Sequence, residues 1–242
     1  MKHTVLMLRP VLDEYGVTVA MRALSRQLAA DGHRPIIVSS DPPDASTVQS
    51  IQADGTGYVR MPLSVRDPVS LLRSRAALSR LILEEGATVI HSHHRWTTVI
   101  AERPARRSMI PLVTSYHGIH HGKRRLSVWG DAVIAVSSEA ATHLQEYFGV
   151  SAALVHVIPN GIDVEGESCE RSMASGLHVP SGDGRVVFVN LARLAPEKDH
   201  HTLLEAMKIV VQRRPNSMLL IAGSGPLERE LQAQIRQMSL TN

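Results

Sequence analysis

Apolar residues recur along this chain in short unbroken runs, each followed by a stretch in which they fall at helical spacing. Thr4 to Leu8 is the first run and predicts a strand. Ala20, Leu24 and Leu28 then share one face of a helix over Val17 to Ala30, and Asp31-Gly32 stops it, because glycine takes the left-handed cap without steric cost. The alternation continues with strands expected at Pro35 to Ser39, Ala87 to His91, Ile110 to Ser115, Asp131 to Val136 and Leu154 to Ile158. Helices are expected at Val69 to Glu85, Thr97 to Arg107 (with Pro104 shortening or kinking it) and Ser138 to Phe148, the last capped by Ser137. Residues 41–68, rich in Pro, Asp, Gly and Ser, predict at most one short strand, near Gly57 to Met61. Unbroken apolar strands alternating with helices predict a parallel sheet covered on both faces, an α/β fold.

The composition shifts to Gly, Ser, Glu and Asp from Val164 to Arg185, which divides the chain into residues 1–163, a linker at 164–185, and residues 186–242. The last part repeats the pattern in small: strand Val186 to Val189, a loop carrying Arg193 and Lys198, a helix opening at Asp199, strand Met218 to Ile221, and the turn Gly223-Ser224-Gly225-Pro226 before a final helix. Ligands of such sheets sit at the carboxyl ends of the strands. Two cations there suit a diphosphate, Arg193 as a planar fork and Lys198 as a movable point charge. So small a second part leaves a two-stranded sheet with one side uncovered, marginal unless it leans on the first part or on a partner chain.

Composition narrows the partners only a little. The formal charge of +3 is scattered, compatible with acidic substrates or an anionic membrane surface. Cys169 is the sole cysteine, which excludes an internal disulfide and a cysteine-based zinc site and fits a reducing compartment. The amino terminus has too short an apolar run for a signal peptide, and no window approaches the ~20 apolar residues of a membrane span. The expected location is the cytoplasm, at or near the inner face of a membrane. Lys123-Arg124-Arg125, followed by Leu126, Val128 and Trp129, suits either a solvated loop or anionic lipid. No nucleic-acid motif accompanies these charges.

Wording is more specific than charge. ARLAPEKDHHTLLEA, followed by LLIAGSGPLEREL, resembles the retaining glycosyltransferases of family four, which have the GT-B fold; VIPNGID at Val157 to Asp163 matches the segment that ends their first domain. The resemblance implies a complete Rossmann-like acceptor-side domain, then a nucleotide-sugar-binding domain that stops early, before the two glutamates eight apart and the carboxy-terminal helix of the family. It also implies sugar transfer from a nucleotide-diphosphate sugar to an acceptor, with retention and without a metal or other cofactor. Rival readings are an inactive remnant or split subunit that binds nucleotide or a partner chain, a nucleotide-sugar epimerase, and a histidine-based metal hydrolase.

The resemblance assigns the donor diphosphate to Arg193 and Lys198. Gly16 stands between the first strand and helix, where a backbone can approach a phosphate; the family has two adjacent glycines here, this chain Tyr15-Gly16. His117, in Ser115-Tyr116-His117-Gly118, follows a strand end, and the resemblance puts it near the donor sugar and acceptor as the catalytic candidate. Imidazole can donate or accept near neutral pH. His91, His93, His94, His117, His120 and His121 form a cluster in sequence, with His93 expected to line the acceptor cleft. A metal site there lacks a carboxylate or cysteine at ligand spacing. Gly223, Ser224 and Gly225 are expected beside the nucleotide, and Asn160-Gly161 to form a turn.

Overall fold

A computed structural model describes residues 1–13, 16–40, 45–161, 184 and 186–240. Tyr15, Ile162, Asp163, Cys169 and all but one residue of the expected linker lie outside that set. The chain separates into two compact units, Met1–Ser168 and Cys169–Asn242.

In the first unit, β1 (Thr4–Leu8), α1 (Gly16–Ala30), β2 (Arg34–Ser39), α2 (Ala45–Ala53), β3 (Gly57–Arg60), α3 (Pro68–Glu85), β4 (Val89–Ser92), α4 (Arg95–Ser108), β5 (Leu112–Tyr116), β6 (Ala132–Ala135), α5 (Ser138–Glu146) and β7 (Val155–Val157) follow one another. The seven strands form one parallel sheet in the order β3-β2-β1-β4-β5-β6-β7. The order reverses between β1 and β4. Chain exits on either side of that point diverge and leave a crevice at the carboxyl ends of the two strands.

Period-two alternation sorts the core. Leu6, Leu8, Ile36, Val38 and Ile90 face α3 and α4, packing on Leu78, Leu81, Ile82, Ile100 and Ala101. Val5, Met7 and Ile37 face the other way, onto Met21 of α1 and Ile51 of α2. Near the far edge, Tyr116, Val133 and Ala135 pack on Ala140, Ala141 and Leu144 of α5. The second face is covered unevenly. No helix of the described residues crosses it after β4, and Val89, Val113 and Ile134, with Leu24 and Leu28, line an apolar groove of about 320 Å³. The cause is local: the chain crosses from β5 to β6 through a loop whose only helical part is a 3₁₀ turn, Arg124–Leu126.

Two sequence expectations need correction. Residues 41–68 hold a helix, α2, besides the short strand. The α4 helix begins two residues before Thr97 and runs through Pro104 to Ser108. Its start is set by His94, whose side chain accepts from the backbone N–H of Trp96. The ends of α3 are ordinary in their chemistry: Asp67 caps Ser70 N, Pro68 occupies the first turn, and Gly86 closes the helix in the left-handed region.

The second unit has β8 (Val186–Leu191), α6 (His200–Arg213), β9 (Ser217–Ala222) and α7 (Glu228–Gln237). β8 and β9 pair in parallel, and Leu194, Leu204 and Leu231 center a small core with Leu219 and Ile221. Val189 and Leu191 stay 61% and 79% exposed, so one face of this short sheet is bare among the described residues.

Gly130 offers a direct test of the register between β5 and β6. Its φ is +78°, and a Cβ would lie 2.4 Å from the Leu112 carbonyl oxygen. Next to it, Asp131 N donates to that same oxygen and the Asp131 carboxylate accepts from Leu112 N. Gly130→Ala is therefore expected to lower the free energy of unfolding by at least about 1–3 kcal/mol in urea titration. Gly86→Ala, with open space around the position, is expected to cost about 1 kcal/mol, from its left-handed φ alone.

Candidate functional site

The crevice between β1 and β4 collects Arg9, one residue past β1, His93, one past β4, and His117, one past β5. The His93 Nδ1 and His117 Nε2 atoms are 3.1 Å apart, and the rings stack at 5.4 Å. His91 packs on His93 at 4.2 Å and is tied back by Ser115 Oγ, 2.8 Å from its Nε2. Two neutral imidazoles share one proton across such a contact, so one ring donates and the other accepts. Among the described residues, His93 Nε2 and His117 Nδ1 are buried without a hydrogen-bond partner.

Both rings are held neutral. Burial, then His91, His117 and Arg9, put the His93 imidazole well below its ordinary value. Burial and Arg9 bring His117 down to about 4, and burial with His117 brings His91 to about 4. The pair can therefore exchange a hydrogen bond with a hydroxyl at neutral pH, while protonation is opposed by the guanidinium beside it. Because His93 is only 4% exposed, a ligand meets it by way of His117, which is half-buried.

Arg9 was not singled out by the sequence pattern, nor was Asp13. The Arg9 guanidinium reaches the Asp13 carboxylate at 2.9 Å, and Thr18 Oγ1 donates to Asp13 at 2.9 Å. This chain of contacts fixes the first turn of α1 against the end of β1. Its only trace in sequence is Arg and Asp four apart in a loop after a strand. Gly16 is the first residue of α1, and nothing lies within 4 Å of where its Cβ would be.

The other histidines divide differently. His94 is the α4 cap. His120 and His121 join an aromatic cluster in which the Tyr116 hydroxyl lies 3.0 Å from His143 Nδ1 and accepts from His120 N, and His121 packs edge-on against Tyr147. No group of three or more His, Cys, Asp or Glu among the described residues is arranged to hold a metal ion.

In the second unit, Arg193 and Lys198 stand on the loop after β8. The Arg193 guanidinium pairs with Glu197; Lys198 ends a 3₁₀ turn, Pro196–Lys198, and Asp199, with φ +47°, caps α6 through Thr202. Gly223 and Gly225 sit against this loop. A Cβ on Gly223 would fall 1.9 Å from the Ala192 carbonyl oxygen and one on Gly225 2.4 Å from that of Leu194. Leu194 N donates to Ser224 O at 2.9 Å and Leu227 N to Leu194 O at 3.0 Å. The close approach these glycines allow is thus first to the Arg193 loop, which they hold in place. His200, missed in the sequence, follows Asp199; it is 1% exposed, and among the described residues neither ring nitrogen has a hydrogen-bond partner.

The family model described as Glycosyltransferase Family 4 matches residues 15–165, and that described as Glycosyl transferases group 1 matches residues 179–242. The chain belongs to glycosyltransferase family 4. It is similar to the GDP-mannose-dependent alpha-(1-6)-phosphatidylinositol monomannoside mannosyltransferase of Mycolicibacterium smegmatis, with 30% identity over 75% of this chain and 50% of the relative. It also resembles the UDP-Gal:alpha-D-GlcNAc-diphosphoundecaprenol alpha-1,3-galactosyltransferase of Escherichia coli, at 26% identity over 66% of this chain and 46% of that one. Among solved structures, Anabaena Alr3699/HepE in complex with UDP and glucose superposes with a TM-score of 0.76 at 19% identity, over 99% of this chain and 67% of that one. This family member thus has one complete Rossmann-like unit and one partial one, in the GT-B pattern, and it spans about half the length of the curated relatives it matches.

Two outcomes are expected from the first unit. Gly16→Ala meets no atom and leaves the glycine's conformation ordinary, so the urea midpoint should hold or rise slightly; if a ligand approaches this backbone, its affinity should fall severalfold in calorimetric titration. The histidines set an acid limit. Their folded pKa values lie below the unfolded value of 6.5, so the unfolded state takes up protons first as pH falls. Their contribution is intact above pH 6.5 and is lost toward pH 4 and below, with roughly three to four protons taken up on unfolding near pH 5 by His91, His93, His94 and His117. Urea unfolding measured against pH should show that slope, reduced in His91→Phe.

Proposed function

We propose that this chain acts in glycosyl transfer from a nucleotide-diphosphate sugar to an acceptor hydroxyl, with the two units dividing the work. The carrying observation is the loop of Arg193 and Lys198 at the carboxyl end of β8, pinned from behind by Gly223 and Gly225 in a family whose members transfer sugars. In this reading residues 186–242 bind the donor and residues 1–163 the acceptor, joined by 164–185. The leaving diphosphate gains negative charge in the transition state, and fixed cations stabilise that charge more than they stabilise the ground state. Arg193 and Lys198 supply them, Gly16 admits a phosphate oxygen, and Ser224 lies beside the nucleotide.

His117 then hydrogen-bonds a sugar or acceptor hydroxyl as a neutral imidazole, with His93 behind it. Transfer proceeds with retention and without a metal. Relatives named for phosphatidylinositol mannoside and diphosphoundecaprenol acceptors support an acceptor carrying a lipid, which favours work at the inner face of a membrane. No described helix is long and apolar enough to cross one. A partner chain, or further sequence, that covers the bare face of β8 and β9 belongs to the same proposal.

The test is titration of the 242-residue chain with UDP and GDP, followed by incubation with their sugars and analysis of the products. One nucleotide should bind, and Arg193→Ala or Lys198→Ala should weaken it about 10- to 100-fold, as for a lost charge-assisted hydrogen bond. Glu197→Gln, which releases Arg193 from its exposed ion pair, should tighten binding by up to about fivefold. Binding without turnover favours the split-subunit reading. An altered free nucleotide sugar in the absence of acceptor favours the epimerase. Nucleotide binding indifferent to both cations refutes the assignment.

A further inference from the structure

The loop from β5 to β6 stands outside the proposed donor and acceptor site and is held by a definite set of contacts. Arg95, the first residue of α4, donates from Nη1 to the Gly122 carbonyl at 3.0 Å, and Gly122 N donates to the Tyr147 hydroxyl at 2.7 Å. Gly122 and Lys123 both take positive φ, +84° and +52°, so the chain reverses sharply at the point where it is held. The turn presents Lys123, Arg124 and Arg125, all exposed. The Lys123 ammonium lies 5.1 Å over the Trp96 ring, with the Arg95 guanidinium 4.8 Å over the same ring. Among the described residues none of these four cations pairs with a carboxylate.

Apolar side chains flank the turn. Ile119 is 53% exposed and Leu126 63%. The sequence pointed to Leu126 together with Val128 and Trp129, but Trp129 packs edge-on against Tyr116 and Phe148 and is not free to meet a partner. Uncompensated cations beside outward aliphatic side chains, on a turn anchored to two helices, match the requirements of a negatively charged lipid surface: the headgroups take the charge, and the aliphatic groups enter the boundary below them. A nucleic acid would use the cations and leave Ile119 and Leu126 without a role.

We propose that residues 119–126, with Arg95, form a docking surface for anionic lipid headgroups. The surface lies wholly in the first unit and stands whether or not the sugar-transfer reading does, since it is measured without catalysis. Each basic side chain close to such a surface contributes about a fivefold gain in partitioning, so three together contribute on the order of a hundredfold.

Co-sedimentation of the 242-residue chain with vesicles tests this, using phosphatidylcholine alone and phosphatidylcholine mixed with phosphatidylglycerol. Binding is expected only to the mixed vesicles. Lys123→Ser combined with Arg124→Ser and Arg125→Ser should weaken it by tenfold or more while circular dichroism stays unchanged. Arg103→Ser with Arg107→Ser, at the far end of α4, should leave it nearly intact, and Leu126→Ser should weaken the part that survives high salt. Equal binding to both vesicle types, binding to neither, or equal losses in the two charge variants would each overturn the proposal. So would loop-dependent binding of a single-stranded oligonucleotide as tight as that of the vesicles.

Discussion

Parallel pairing of β1 with β4 is the constraint from which the site follows. All strands of a parallel sheet end on the same edge, and the reversal of strand order parts the loops on either side. Arg9 and His93 come together there although 84 residues separate them in the numbering, because β1 and β4 are in register from Val5↔Val89 to Leu8↔Ser92. His117 joins them through the β4–β5 register, Ile90↔Leu112 to Ser92↔Thr114. A slip of one residue at either pairing would turn the histidines to the opposite face.

The central strands were legible because β1 and β2 are runs of Val, Ile, Leu or Met buried on both sides. Helices with several core contacts were legible for the same reason. α2 was not: it buries only Ile51, and Val48 and Ile51 alone in a polar stretch are too few to set a period. Of the candidate site, wording pointed to Arg193, Lys198, Gly16 and His117, whose roles belong to the proposal above. Those that act through a single contact were not. The Arg9–Asp13–Thr18 chain lies in a loop and early helix turn, where no periodicity points to it, and the pairing of His93 with His117 depends on strand register. His94 looked like one more member of a histidine cluster and is a helix cap.

Electrostatically the two units differ. In the first, the half-buried Arg9 guanidinium sits beside His93 and His117, and burial together with that charge keeps the imidazoles neutral. In the second, the cations are exposed and one of them is already engaged by Glu197. Any anion that came to Arg193 would have to displace that carboxylate, which favours a ligand with more charge and more acceptor oxygens.

The contact of Gly223 and Gly225 with the backbone of Ala192 and Leu194 has a mechanical meaning as well. Where two loops touch main chain to main chain, with no side chain between them to rotate, they have no soft joint. The turn bearing Ser224 and the turn bearing Arg193 therefore shift as one rigid piece. A displacement imposed on one turn is therefore passed through the main chain to the other.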